Sequence, residues 1–274
     1  MNRIISFEDI NKICKISINA GKICLKHYKK QNKISYKNDK SPLTKADIDS
    51  NQYITKSLNK NFQKFNILSE ENKIIEFNKR KKWKKYWLID PLDGTKEFIK
   101  KNGEFTVNIA LMVNNNPIFG VIYIPVLDQI YYAFKGKGSY FHNNASSNLK
   151  KNLFSIKNKI KCRSLINKIS VICSRSHKSD DLLTWLKYLS NYKKINYGSS
   201  IKFCKVAHGV ADVYPRFVGS SEWDIAAAHI IVKEAGGNIR TIKNKKISYN
   251  KKSLRNEYFI CYSNEFKKKF GLNI

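Results

Sequence analysis

From Phe7 to Tyr28 apolar and small residues recur every three or four positions, through Ile10, Ile13, Cys14, Ser17, Gly21, Cys24, Leu25 and Tyr28. That period predicts an amphipathic helix with one buried stripe. Polar residues break the pattern from Lys29 to Lys40 and Ser41-Pro42 punctuates it. A second helical period then passes through Ala46, Ile54 and Leu58, with Asp47 and Asp49 in its first turn. Carboxylates at that place suit the helix dipole and need no further role. Short apolar runs follow at Phe65 to Leu68, Trp87 to Ile89, Phe105 to Val113, Ile118 to Val126 and Gln129 to Phe134. Their length predicts strands, and Asn114-Asn115-Asn116-Pro117 and Leu127-Asp128 predict the turns of an antiparallel sheet. Beyond a Lys- and Asn-rich stretch from Asn143 to Lys159, strands at Ile169 to Cys173 and Glu257 to Tyr262 alternate with helices. Those helices are Asp180 to Leu189, Ser200 to His208 and Asp224 to Glu234, the last closed by Gly236-Gly237. The pattern predicts an α/β (α+β) chain in two parts, an α+β unit over residues 1–150 and an α/β unit over 151–274.

Composition changes this picture in three respects. A chain of 274 residues with 42 % hydrophobic residues can bury a sizeable core, which excludes wholesale disorder and any need for disulfides or a structural metal. Lys and Arg number 52 against 21 Asp and Glu, a net charge of +31, yet only seven of the cations are Arg. With 30 Asn and 35 Ile beside them, the excess of A/T-rich codons points to compositional drift before selection for an anionic partner. Lysines scattered from Lys12 to Lys269 imply non-specific adhesion to polyanions, with no specific nucleic-acid partner. Of six cysteines, Cys14, Cys24, Cys173, Cys204 and Cys261 stand among apolar neighbours and read as core residues. No C-x-x-C occurs and no apolar run approaches the length of a membrane span, so a soluble, cytoplasmic protein is expected.

Candidate chemistry concentrates where apolar segments end in acids. Trp87-Leu-Ile-Asp90-Pro-Leu-Asp93-Gly-Thr95 runs a strand straight into two carboxylates. Ile67-Leu-Ser69-Glu70-Glu71 ends another strand in a pair, and Ser221-Glu-Trp223-Asp224 opens an apolar helix with a further acid. Carboxylates three residues apart repel unless a cation lies between them, and hard oxygen donors of this kind suit Mg²⁺. Pro91 fixes φ and Gly94 allows a sharp turn, so both aspartates are expected to leave the strand end together.

Leu68-Ser-Glu-Glu71, Asp90-Pro-Leu-Asp-Gly-Thr95, Trp223-Asp-Ile-Ala-Ala227 and Glu234-Ala-Gly-Gly237 resemble the signature of the inositol monophosphatase-like family of Mg²⁺-dependent, lithium-sensitive phosphomonoesterases. The segments Ser41 to Asp47, Tyr86 to Leu111, Ser174 to His177, Gly198 to Cys204 and Val213 to Phe217 are similar to its bacterial 3'(2'),5'-bisphosphate nucleotidase branch. The resemblance implies a layered αβαβα sandwich. It implies that Glu70, Asp90, the Leu92 carbonyl, Asp93 and Asp224 hold two or three Mg²⁺, and that Asp47 and Thr95 orient and deprotonate a water. Substrate would touch Glu70, Leu92, Asp93, Gly94, Thr95 and Asp224 at the metals, and His177, Ser199, Lys202 and Arg216 beyond them. The implied partner is a small nucleotide bisphosphate, and the implied reaction turns adenosine 3',5'-bisphosphate, or also 3'-phosphoadenylyl sulfate, over at its 3'-phosphate in sulfur metabolism. An inositol-1-phosphatase, a fructose-1,6-bisphosphatase and, more remotely, a basic RNA-associated protein are the alternatives. The lysine excess also admits a peripheral hold on an anionic membrane face.

Overall fold

The computed structural model describes residues 4–30, 34–37, 41–149, 153–164, 168–176, 179–189 and 191–271. Helix α1 (Phe7–Tyr28) opens the fold with a capping box, Ser6 and Asp9 satisfying each other's backbone amides. A hairpin of β1 (Ile34–Tyr36) and β2 (Pro42–Thr44) leads into α2 (Lys45–Asn61). The chain then enters a seven-stranded sheet through β3 (Asn66–Ser69), the short α3 (Phe77–Arg80), β4 (Lys85–Asp93) and α4 (Thr95–Ile99). It continues through β5 (Thr106–Val113), β6 (Asn116–Ile124), β7 (Gln129–Phe134), β8 (Gly138–His142), α5 (Ala145–Asn148) and β9 (Lys159–Ile160). The strands lie in sequence order, with β3 parallel to β4 and every later neighbour antiparallel.

A second sheet has the order β11-β10-β12-β14-β13. It is built from β10 (Ile169–Ser174), α6 (Asp180–Leu186), β11 (Tyr192–Tyr197), α7 (Ile201–Ala207), β12 (Val213–Arg216), α8 (Glu222–Glu234), β13 (Gly237–Thr241), β14 (Phe259–Ser263) and α9 (Asn264–Phe270). The β10–β11 and β10–β12 pairs are parallel, the other two antiparallel.

Strand periodicity decides the layers. Trp87, Ile89, Val107, Ile109 and Val121 face one way and pack with Ile13, Cys14, Ile54 and Leu58 of α1 and α2. Leu88, Ala110, Ile122 and Ile124 face the other way, onto Phe203, Val206, Ile230 and Ile231 of α7 and α8, which in turn cover Ile172, Tyr214, Phe259 and Cys261 of the small sheet. The small sheet's outer side, with Val171, Val213 and Ile260, receives Leu182 and Trp185 of α6 and Phe266 of α9. The result is the αβαβα sandwich the resemblance implied. Both faces of both sheets are covered, so the inner strands read as continuous apolar runs. The five cysteines read as core residues are all buried. Among the described residues no helix is long and apolar enough to cross a membrane.

Candidate active site

Parallel pairing of β3 and β4 brings their C-terminal ends side by side. Ser69 stands opposite Ile89, and the Glu70 N–H donates to the Ile89 carbonyl at 3.1 Å, so Glu70 and Asp90 emerge as neighbours. Asp90 and Asp93 would point to opposite faces of a regular strand, being an odd number of residues apart. The ladder with β5 shifts between them: Asp90 pairs with Asn108 but Asp93 with Thr106, three residues on β4 against two on β5. That bulge returns both carboxylates to the same side. Its geometry is held from beneath, where the Pro91 carbonyl accepts the Ser50 hydroxyl of α2 at 2.8 Å and the Leu92 N–H donates to Asp90 Oδ1 at 3.1 Å.

Two further acids arrive from helix starts. Asp224 is the third residue of α8 and takes the Ser221 N–H on Oδ2 at 2.8 Å. Asp47 occupies the same position in α2 and takes the Thr44 N–H and hydroxyl on Oδ2 at 2.8 and 2.6 Å. In each case Oδ2 caps the helix and Oδ1 takes no part in the cap. Asp47 stands in the first turn, where its charge suits the helix dipole, and the Thr95 hydroxyl also donates to its Oδ1 at 3.3 Å. Asp49 turns away to His27 and Lys45 on the surface.

Carboxylate oxygens of Glu70, Asp90 and Asp224 all lie within 4.8 Å of one another. Burial first, and then Glu70, Asp93 and Asp224, push the Asp90 carboxyl far above its ordinary range. Burial with Asp93 and Glu70 raises Asp224 to about 8. Burial likewise raises Asp47, against the hydrogen bonds from Thr44. Such a cluster is a demand for positive charge. Part of it is met by Lys37, whose Nζ reaches Glu70 at 2.8 Å and Glu71 at 2.6 Å.

Glu70, Asp90, Asp93 and Asp224 line a cleft of about 200 Å³, which Asp47 meets through Thr95. Ser199, Lys202 and Arg216 line the same cleft. Lys202 is 4 % exposed and donates to the Ser199 carbonyl at 2.6 Å; burial and then the nearby Arg216 lower it to about 8. Asp93 ties the acids to this group, its Oδ2 accepting Ser199 Oγ at 2.7 Å and Ser200 N–H at 2.5 Å. Leu92, Gly94 and Thr95 also line the cleft. Thus every described residue expected at the site is gathered in or at this cleft, and His177 lies outside the described residues.

Sequence reasoning missed Lys37, Ser220 and Arg255, which also border the acids. Lys37 is lost among so many lysines within a stretch read as a polar break. Arg255 carried a usable signal, since seven Arg are few enough to ask of each what it does.

Residues 8–270 match the sequence profile of the inositol monophosphatase family. The 3'(2'),5'-bisphosphate nucleotidase CysQ of Salmonella typhimurium is 40 % identical over 242 residues, 88 % of this chain and 93 % of the relative. Its namesake from Buchnera aphidicola is 40 % identical over 260 residues, 91 % of this chain and 94 % of the relative. The crystal structure of CysQ from Bacteroides thetaiotaomicron superposes with a TM-score of 0.81 at 37 % identity, covering 94 % of this chain and 98 % of that one.

Proposed function

The chain belongs to the inositol monophosphatase family, and from that premise we infer that its cleft is a metal-dependent phosphomonoesterase site taking adenosine 3',5'-bisphosphate to AMP and phosphate. 3'-Phosphoadenylyl sulfate, with the same ester, is a second substrate on this reading. One observation carries it: a single cleft is lined both by a carboxylate cluster and by a buried lysine with an arginine. The carboxylates suit a phosphate held through metal, the cations a phosphate that does not react.

The residues fit Mg²⁺. Glu70, Asp90 and Asp224 converge as hard oxygen donors whose mutual repulsion a divalent cation relieves, with Asp93 and the Leu92 carbonyl beside them for a second and third ion. Bound there, Mg²⁺ would neutralise phosphate charge and hold the reacting oxygens. The chain's own groups do the rest. With its proton directed at Asp47 Oδ1, the Thr95 hydroxyl has lone pairs left to accept a proton from water. As the water oxygen attacks phosphorus, its proton passes to the Thr95 oxygen while the Thr95 proton passes to Asp47. Burial, by raising the proton affinity of Asp47, suits it to keep that proton. The P–O bond breaks with its electron pair on the departing 3'-oxygen, which takes a proton from solvent. No covalent intermediate forms with the chain.

In the same cleft, Lys202 and Arg216 would take the 5'-phosphate. Anion binding there offsets the burial and repulsion that lower Lys202. Phosphate release from adenosine 3',5'-bisphosphate, inositol 1-phosphate and fructose 1,6-bisphosphate under equal Mg²⁺ tests the assignment. The nucleotide should lead in kcat/KM by roughly tenfold or more, the worth of one charge-assisted contact. A lead for inositol 1-phosphate would replace this reading with that of a general inositol phosphatase.

A further inference from the structure

Between the two sheets, beside the cleft, lies a polar seam without an assigned role. Glu104, in the loop before β5, meets Arg175, just past β10. Arg175 Nε donates to Glu104 Oε2 at 2.8 Å and its Nη2 to Oε1 at 2.7 Å. The same Oε2 accepts the Gly198 N–H at 2.7 Å, and Arg175 Nη2 also donates to the Asn196 carbonyl at 3.0 Å. Nearby, Glu97 of α4 accepts the Ser176 hydroxyl at 2.5 Å. A loop of the large sheet thus grips two segments of the small sheet, 175–176 and 196–198, immediately ahead of Ser199.

The gripped corner has a shape that needs holding. Ser199 has φ of +51°, a left-handed conformation that a residue with a side chain adopts where its surroundings over-determine it. Its carbonyl is the acceptor that aims Lys202. A Cβ on Gly198 would lie 2.5 Å from Glu97 Cγ and 3.1 Å from Glu104 Cβ, so the main chain is pressed against the two glutamates. The Glu104 carboxylate therefore reaches Lys202 through three consecutive links: the Gly198 amide, the twisted Ser199 and its carbonyl. Glu70 just past β3, Asp90 in β4 and Asp224 in α8 stand outside this chain of contacts, whereas Asp93 accepts Ser199 Oγ and the Ser200 N–H from the corner while its own backbone is fixed in the β4 bulge.

We propose that Glu104 and Arg175 form a positioning clasp that sets the Ser199–Lys202 corner, and through it the preference for substrates carrying a second phosphate over single-phosphate esters. The inference rests on reading the cleft as a bisphosphate site. Arg175 is 47 % exposed and Glu104 15 %, so solvent partly screens the pair and its loss should be felt at the corner more than in global stability.

The test compares Glu104→Ala, Arg175→Met and the conservative Arg175→Lys with wild type. Adenosine 3',5'-bisphosphate and adenosine 3'-monophosphate serve as substrates with Mg²⁺, and melting temperature is followed in parallel. For the first two variants KM for the bisphosphate should rise roughly tenfold, with kcat within about twofold and both constants for the monophosphate within about twofold. Arg175→Lys, which keeps the charge but not the fork, should lie between wild type and Arg175→Met, and all three should melt within a few degrees of wild type. Equal losses on both substrates, or an unchanged KM for the bisphosphate, overturn the clasp. The premise fails separately: a wild type without preference for the bisphosphate sinks the bisphosphate reading itself. A wild type with that preference and variants that keep it sink the clasp alone.

Discussion

Asp224 caps its own helix through Oδ2 and also stands with Glu70 and Asp90 in a cluster where each carboxylate penalises the ionisation of the next. This has a consequence for the metal-free protein that can be given a sign. The folded values, about 8 for Asp224 and far above the ordinary range for Asp90, exceed the roughly 3.9 of an unfolded aspartate. Between those limits the folded state binds more protons than the unfolded one. The stability tied to these groups is therefore complete below about pH 4 and is lost as pH rises toward 8. Asp90→Asn removes one of the repelling charges and keeps the shape. In EDTA the variant should melt above wild type by a margin that widens from pH 5 to pH 8, and Mg²⁺ should close or reverse it by stabilising wild type. Turnover should drop roughly a hundredfold or more, the scale of losing one contact to reacting charge. Scanning fluorimetry across that range decides the matter, and a margin that does not depend on pH would refute repulsion as the dominant force in the cluster. Asp90 and Asp93 were legible in the sequence because an apolar strand ran straight into them. The bulge that puts them on one side was not, because it depends on the register with β5.

Helix α8 shows what an element contributes that its sequence hides. It is apolar all round, with Ile225, Ala226, Ala227, Ala228, Ile230, Ile231 and Val232 buried, because it is sandwiched between the two sheets. Its approach to the large sheet is made possible at Gly120 of β6. A Cβ there would lie 2.4 Å from the Ala227 carbonyl oxygen and 2.8 Å from Ala227 Cα, backbone atoms that cannot rotate aside. Gly120→Ala should force α8 outward and cost about 1–3 kcal/mol by overpacking, lowering Tm by on the order of 5 °C. Asp224 sits one turn before Ala227, so kcat should fall as well. A variant with wild-type kcat and Tm would mean that α8 tolerates displacement without moving its carboxylate. The long elements α1, α2 and β4 to β7 were legible because period and length agree over many residues. The edge strand β11, Tyr-Lys-Lys-Ile-Asn-Tyr, was not, since pairing with β10 defines it more than any pattern of its own.

Across the whole molecule, charge and packing divide the work. The net charge of +31 belongs mostly to scattered lysines, while Glu70, Asp90, Asp93, Glu97, Glu104 and Asp224 gather where the two sheets meet. On the proposed function, a cationic exterior would attract a polyanionic ester and the acidic interior would hold the metal that receives it. Packing also makes that meeting place hard to take apart. One cluster of buried residues runs from Leu68, Leu88 and Ile124 of the large sheet through α7 and α8 to Ile172, Tyr214 and Cys261 of the small one. Removing either sheet would strip a face of α8 bare, so we expect the chain to unfold as one cooperative unit despite the change in sequence pattern near residue 150. Tryptophans on opposite sides of the molecule report on this. Trp87 is buried under α1 and α2, and Trp185 packs on the far face of the small sheet. In variants keeping Trp87 or Trp185 as the one tryptophan, urea curves followed by fluorescence should superimpose on each other and on the far-ultraviolet dichroism, with one midpoint and one slope. Separate midpoints, with the Trp185 signal lost while the Trp87 signal persists or the reverse, would show that the regions on either side of residue 150 fold independently. The cleft would then be a contact between two stable bodies, and Glu104 and Arg175 would hold a docking interface instead of a corner within one core.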